Sequence, residues 1–166
     1  MERMLFLFQR TATKFFYRHP LRKVLKMGGY LLRGGKVSKK WLKKKLIGKA
    51  GEVIARYWLT WRGYSIITVN WRCQRGEIDI IAVKGRILHI IEVKTRTSNA
   101  EKLWPAKDAI TPSKYKTLMA LTHLYAESNY AFLRRFYLKG AQIDLVTVVI
   151  TFKVPNFLEV KMYEKV

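Results

Sequence analysis

The stretch GEIDIIAVKGRILHIIEVK, residues 76–94, decides how this chain folds. Gly76–Val83 and Arg86–Lys94 are runs of apolar and β-branched residues on either side of Lys84-Gly85. Runs of that kind around a short glycine turn predict two strands joined as a hairpin. Glu77, Asp79 and Glu92 stand inside these strands, although the chain has only 11 acids to place. Strand side chains alternate between faces, so Glu77 and Asp79 share a side, as do Glu92 and Lys94. A two-residue turn at Lys84-Gly85 sets Asp79 opposite Ile90 and Glu77 opposite Glu92. Asp79 and Glu92 are then diagonal neighbours, their backbones about 7–8 Å apart and within reach of one ion.

Two carboxylates at that spacing repel each other, and burying them is costly unless a cation intervenes. Mg²⁺ or Mn²⁺ suits the pair, because such ions take one or two carboxylates, waters and a substrate phosphate. The main-chain carbonyl of Val93 is a further donor. Lys94, on the side of Glu92, is placed to neutralise a phosphate or to orient the attacking water. This residue set fits metal-assisted phosphodiester hydrolysis. A single carboxylate in a strand is better explained by a solvated hairpin face with surface ion pairs, and for Glu77 that reading stays open beside the site.

Upstream of the hairpin, residues 49–62 place Ala50, Val53, Ile54, Tyr57, Trp58 and Trp61 at helical spacing, which predicts an amphipathic helix stopped by Gly63. Glu52 lies one residue off that stripe, with Ala55, Arg56 and Leu59. Packed across the sheet, this helix makes Glu52 an auxiliary metal ligand. Ser65–Val69 predicts a strand. Downstream, Thr111 and Pro112 open a helix that runs to about Glu127 and buries Tyr115, Leu118, Met119, Thr122 and Tyr125. Gln142–Phe152 reads as a buried strand, and Phe157–Tyr163 as a last short one.

The chain has 166 residues and a formal net charge of +22. Residues 1–50 carry 15 Lys and Arg against the single acid Glu2. The composition divides into a basic N-terminal extension, 1–44, and a folded unit, 45–166. So large a surplus implies a polyanionic partner: nucleic acid first, DNA favoured, an anionic membrane surface second. Lys114 at the start of the second helix fits a phosphate contact, and Arg72, Arg75 and Arg96 are further candidates for the nucleic-acid backbone. Trp71 and Trp104 are open to base stacking or to packing. Cys73 is the only cysteine, which excludes an internal disulfide and a thiolate zinc cluster and fits a cytoplasmic protein. No uncharged apolar run reaches the roughly 18 residues of a spanning helix. His19, His89 and His123 are isolated, with His89 on the strand face opposite Glu92. No phosphate loop or serine nucleophile motif is present.

Asp79, twelve intervening residues and Glu92-Val93-Lys94 resemble the core of the PD-(D/E)XK nucleases. The stretches GKAGEVIARYWLTWRGYSIITVNWRCQRGEIDIIA, IEVKTRT, Ala109…Lys114 and QIDLV resemble, more specifically, the YraN-like family of bacterial proteins, over nearly all of residues 48–148. Archaeal Holliday-junction resolvases share the helix Glu and the hairpin. The resemblance implies a restriction-endonuclease-like α/β fold: a mixed sheet flanked by helices, in the order αβββαββ. It also implies Glu52, Asp79, Glu92 and Lys94 as the catalytic set. Where the family carries Arg-Phe before its late Asp, this chain has Gln142-Ile143 before Asp144, which puts the contact made by that Arg in doubt. The expectation is a Mg²⁺- or Mn²⁺-dependent endonuclease acting on DNA, on branched or damaged forms if the resolvase likeness extends to substrate. A nucleic-acid-binding protein that keeps the fold without catalysis is the alternative. A homodimer stays open.

Overall fold

A computed structural model describes residues 39–97, 110–150 and 158–166. Most of the basic extension, together with His19 and Trp104, lies outside the described residues. The chain divides into two compact units, Met1–Val53 and Ile54–Val166. Helix α1 (Lys39–Trp61) belongs to the first unit up to Val53 and to the second from Ile54. Among the described residues, no helix is long and apolar enough to cross a membrane.

The second unit is built on one five-stranded mixed sheet, in the order β1 (Ser65–Cys73), β2 (Gly76–Lys84), β3 (Ile87–Thr97), β4 (Gly140–Ile150) and β5 (Leu158–Tyr163). Neighbours are antiparallel except β3 and β4, which run parallel. A parallel pair needs a long crossover, and helix α2 (Pro112–Ser128) lies in it, followed by a short helix α3 (Tyr130–Leu133). This is the mixed sheet flanked by helices that the sequence predicts.

Helix α2 begins as expected, with Thr111 accepting a hydrogen bond from the Lys114 amide at 3.2 Å and Pro112 in the first turn. Its buried stripe is Leu118, Leu121, Thr122 and Tyr125, one apolar face at helical spacing. Tyr115 and Met119, expected inside, are each 39% exposed. Leu118, Leu121 and Tyr125 pack with Ile78, Ile81, Val83, Leu88, Ile90 and Ile143 of the sheet. Full burial of each such side chain contributes roughly 1.5–3 kcal/mol. The other face of the sheet also buries its side chains, among them Ile80, Ala82, Ile91, Val146 and Val148.

Helix α1 turns a different stripe inward than its aromatic residues suggested. Gly51, Ile54, Ala55, Trp58 and Leu59 are buried, whereas Trp61 is 59% exposed. Small and aliphatic residues pack closer than bulky rings, so the stripe sits about one residue away from that expected. Gly63 ends the helix as predicted, with φ of +82°.

The hairpin register also differs. The turn is Gly85-Arg86, with Lys84 paired to Ile87 and Ile81 to Ile90. Both turn residues have positive φ, 57° and 65°, as a twisted two-residue hairpin requires. Arg86 tolerates it because its Nε donates to the Tyr137 carbonyl at 2.8 Å and its own carbonyl accepts from the Lys139 amide at 2.8 Å. Asp79 is therefore not opposite Ile90, nor Glu77 opposite Glu92. Glu77 pairs with Arg72 on β1, and their side chains form an ion pair at 2.8 Å.

Candidate functional site: an acidic fork between two strands

The β2–β3 ladder ends at Ile80–Ile91, while β2 stays paired with β1 to Gly76 and β3 stays paired with β4 to Thr97. The two central strands part company there. Beyond the parting, β2 approaches helix α2: a Cβ on Gly76 would lie 3.4 Å from Leu121 Cδ1. Parting strands strand the backbone groups that faced each other, and buried ones must find partners. Asp79 supplies one, its Oδ2 accepting from the Val93 amide at 2.7 Å. The acid of β2 is thereby held against the β3 segment that carries Glu92 and Lys94.

Glu92 is buried, only 3% exposed. Lys94, two residues on along β3, donates to its Oε1 at 2.5 Å. Lys114, in the first turn of α2, stands 3.0 Å from Oε2. The contact is an ion pair without hydrogen-bond geometry, and among the described residues Oε2 receives no hydrogen bond despite its burial. Two ammoniums at this distance still offset the cost of burying the charge. Lys114 thus shares the Glu92 carboxylate with Lys94.

Arg96 follows two residues after Lys94, on the same side of β3. Its Nε is buried and has no hydrogen-bond partner among the described residues. Arg75 is exposed in the turn between β1 and β2, and Arg72 is held by Glu77. Glu52 lies in the first unit, paired with Lys49 at 3.1 Å, on the helix side of buried Ala55 and Leu59. Among the described residues, no three His, Cys, Asp or Glu come together as a metal-holding group. What the fork offers an ion is Asp79 and Oε2 of Glu92, which among the described residues is ion-paired with Lys114 but receives no hydrogen bond; such a set suits an ion that keeps waters and takes part of its shell from substrate.

The opposite sheet face carries a second polar pair that residue spacing did not reveal. His89 Nδ1 and Asp144 Oδ2 are 2.6 Å apart and buried. Asp144 Oδ1 also accepts from Gln142 Nε2 at 2.8 Å and from the Lys165 amide at 3.1 Å. Gln142, two residues before it on β4, makes a contact to the late Asp itself. Asp144 is so fully bonded that a structural role explains it.

A family model described as uncharacterised protein family UPF0102 matches residues 51–148. A UPF0102 protein of Renibacterium salmoninarum is 38% identical over 104 residues, which are 63% of this chain and 82% of the relative. One from Mycolicibacterium vanbaalenii is 34% identical over 116 residues, 69% of this chain and 90% of the relative. One from Chlorobium limicola is 46% identical over 79 residues, 48% of this chain and 60% of the relative. The matched segment contains Asp79, Glu92, Lys94 and Lys114.

Proposed function

This chain belongs to UPF0102, the YraN-like family, and from that premise and the geometry of its fork we propose that it is a divalent-metal-dependent nuclease acting on DNA. The observation that carries the reading is the buried Oε2 of Glu92, which among the described residues receives no hydrogen bond, on the strand that holds Asp79 through the Val93 amide and also bears Lys94. A binding module has no use for buried acids facing a phosphate chain. A hydrolase does.

Asp79 and Glu92 would hold Mg²⁺ or Mn²⁺. When bound, such an ion polarises the scissile phosphate and lowers the pKa of a water. The chain's own residues account for the rest. The Val93 amide fixes the Asp79 carboxylate in one orientation, so the acid does not reorganise as charge develops. Lys94 already touches Glu92 and lies on the face a phosphate would approach, where its ammonium can meet charge on the phosphoryl oxygens. Arg96, two residues beyond Lys94 on the same side of β3, is placed for a neighbouring phosphate. The first turn of α2 adds the positive end of a helix dipole on the same side. Affinity along the backbone comes from the overall surplus of cations.

One observation favours a second reading, nucleic-acid binding without cleavage: both oxygens of Glu92 already face ammoniums, Lys94 and Lys114. A screen of duplex, single-stranded, flap and four-way-junction DNA with Mg²⁺ and with Mn²⁺ separates the two. Metal-dependent cleavage of any substrate supports the nuclease. Tight binding without cleavage supports the alternative.

A further inference from the structure

On the sheet face away from the acidic fork, the second unit has a cavity of about 420 Å³ between the end of α1, the end of β2 and strand β5. Three cations line it, Arg62, Lys84 and Lys161, against one carboxylate, Glu164. Two of these cations are seated on aromatic rings. The Arg62 guanidinium lies 4.1 Å from the centroid of Trp58, and the Lys84 ammonium 4.6 Å from that of Tyr64. Both rings are buried, at 7% and 5% exposure. A cation held over a buried ring loses conformational freedom without losing its charge. Lys161 is braced by Glu159 at 2.8 Å.

The floor is Tyr64, which lies close to two carboxylates, Glu164 and Asp144. Burial, then the neighbouring carboxylates of Glu164 and Asp144, push the Tyr64 hydroxyl up to about 12, so it stays protonated, with the Glu164 carboxylate and Met162 Sδ, at 3.4 Å, as its acceptors. Met162 and Tyr163 supply an apolar and aromatic wall. The space is much larger than an inorganic phosphate needs and falls in the size range of small-ligand sites, roughly 300–1,000 Å³.

We propose that this cavity binds a nucleoside 5′-phosphate, its phosphate between Arg62 and Lys84 and its base against Met162 and Tyr163. The nucleotide is either free or the 5′-phosphorylated end of a strand. The proposal stands apart from cleavage at the fork and survives if the nuclease reading fails.

The test is titration calorimetry on the full chain, with EDTA and about 150 mM salt, where exposed charges more than a Debye length apart are largely screened. The ligands are AMP, adenosine, inorganic phosphate, and two short oligonucleotides that differ only in a 5′-phosphate. AMP, or the 5′-phosphorylated strand over its 5′-hydroxyl twin, should bind about tenfold or more tighter than adenosine or phosphate, as expected when charged hydrogen bonds and base contact act together. Whichever of the two binds identifies the source. Lys84→Glu, at an exposed position, should weaken that binding about tenfold or more, by the same reasoning. The charge-matched Arg135→Glu, also exposed, should leave it nearly unchanged. Arg62→Gln provides a second variant should Lys84→Glu fail to fold by circular dichroism. Absence of binding by both phosphorylated ligands overturns the proposal. So does equal weakening by the cavity variants and Arg135→Glu, which would mark general attraction to a basic protein.

Discussion

Asp79 on β2 is tied to Val93 on β3 through a 2.7 Å hydrogen bond from the Val93 amide to its carboxylate, at the point where the two strands stop pairing. One side chain therefore closes the end of a ladder and presents an acid at the fork.

That double role separates two substitutions. Asp79→Ala leaves the Val93 amide without its acceptor and should cost about 1–3 kcal/mol in urea unfolding. Asp79→Asn keeps an oxygen there and should stay close to wild-type stability. Equal stability of the two variants would mean that the bond contributes nothing.

Lys114 shares Glu92 with Lys94. Lys114→Met should destabilise the fold by about 1–2 kcal/mol, less than the 3–5 typical of a broken buried pair, because Lys94 remains and the lysine is about a third exposed. The carboxylate it leaves is freer for an ion, so Mn²⁺ should raise the melting temperature of the variant more than that of wild type. If Mn²⁺ shifts neither protein, the fork is not a metal site.

Gly85 holds the hairpin turn at φ of +57°, with open space where a Cβ would stand. Gly85→Ala should cost about 1 kcal/mol: a backbone penalty of roughly 1–2 in the left-handed region, partly offset by the stiffer unfolded chain. Denaturant unfolding measures it, and an unchanged midpoint would place the strain elsewhere.

The Tyr64 hydroxyl is pushed from 10.0 to about 12, chiefly by burial. The folded state holds this proton more tightly than the unfolded chain, so its stabilisation is complete below pH 10 and is lost as pH rises towards 12. Tyr64→Phe should lose less stability over that window than wild type. Burial raises Tyr125 in the same direction, so the slope should shrink without vanishing. Identical alkaline profiles would contradict the account.

Alternation along residues 76–94 was enough to put Asp79, Glu92 and Lys94 in adjacent strands, because period-two patterning is local. The fork was not legible, since it depends on which two residues make the turn. Lys84-Gly85 and Gly85-Arg86 both contain the glycine, and an arginine at positive φ is held only by Tyr137 and Lys139, some fifty residues away. The α1 stripe was misplaced for the converse reason: Trp61 and Tyr57 weigh heavily in a hydrophobic pattern, whereas Gly51 and Ala55, which are buried, weigh little. His89 looked isolated because Asp144 reaches it only through the parallel pairing of β3 with β4. The cationic cavity escaped notice because Tyr64 and Met162 are 98 residues apart.

The central claim is that Lys94, beside the Asp79–Glu92 pair, acts on the reacting phosphate. Its most direct test is cleavage of a DNA substrate in Mg²⁺ by wild type, Lys94→Ala and Asp79→Asn, purified in parallel, with DNA affinity measured in Ca²⁺ at the same salt. The account predicts cleavage by wild type, a loss of about 10²–10³ in rate or more in each variant, as for removal of one group that meets developing charge, and nearly unchanged DNA affinity. The same cleavage by all three proteins would contradict it, and so would no cleavage by any.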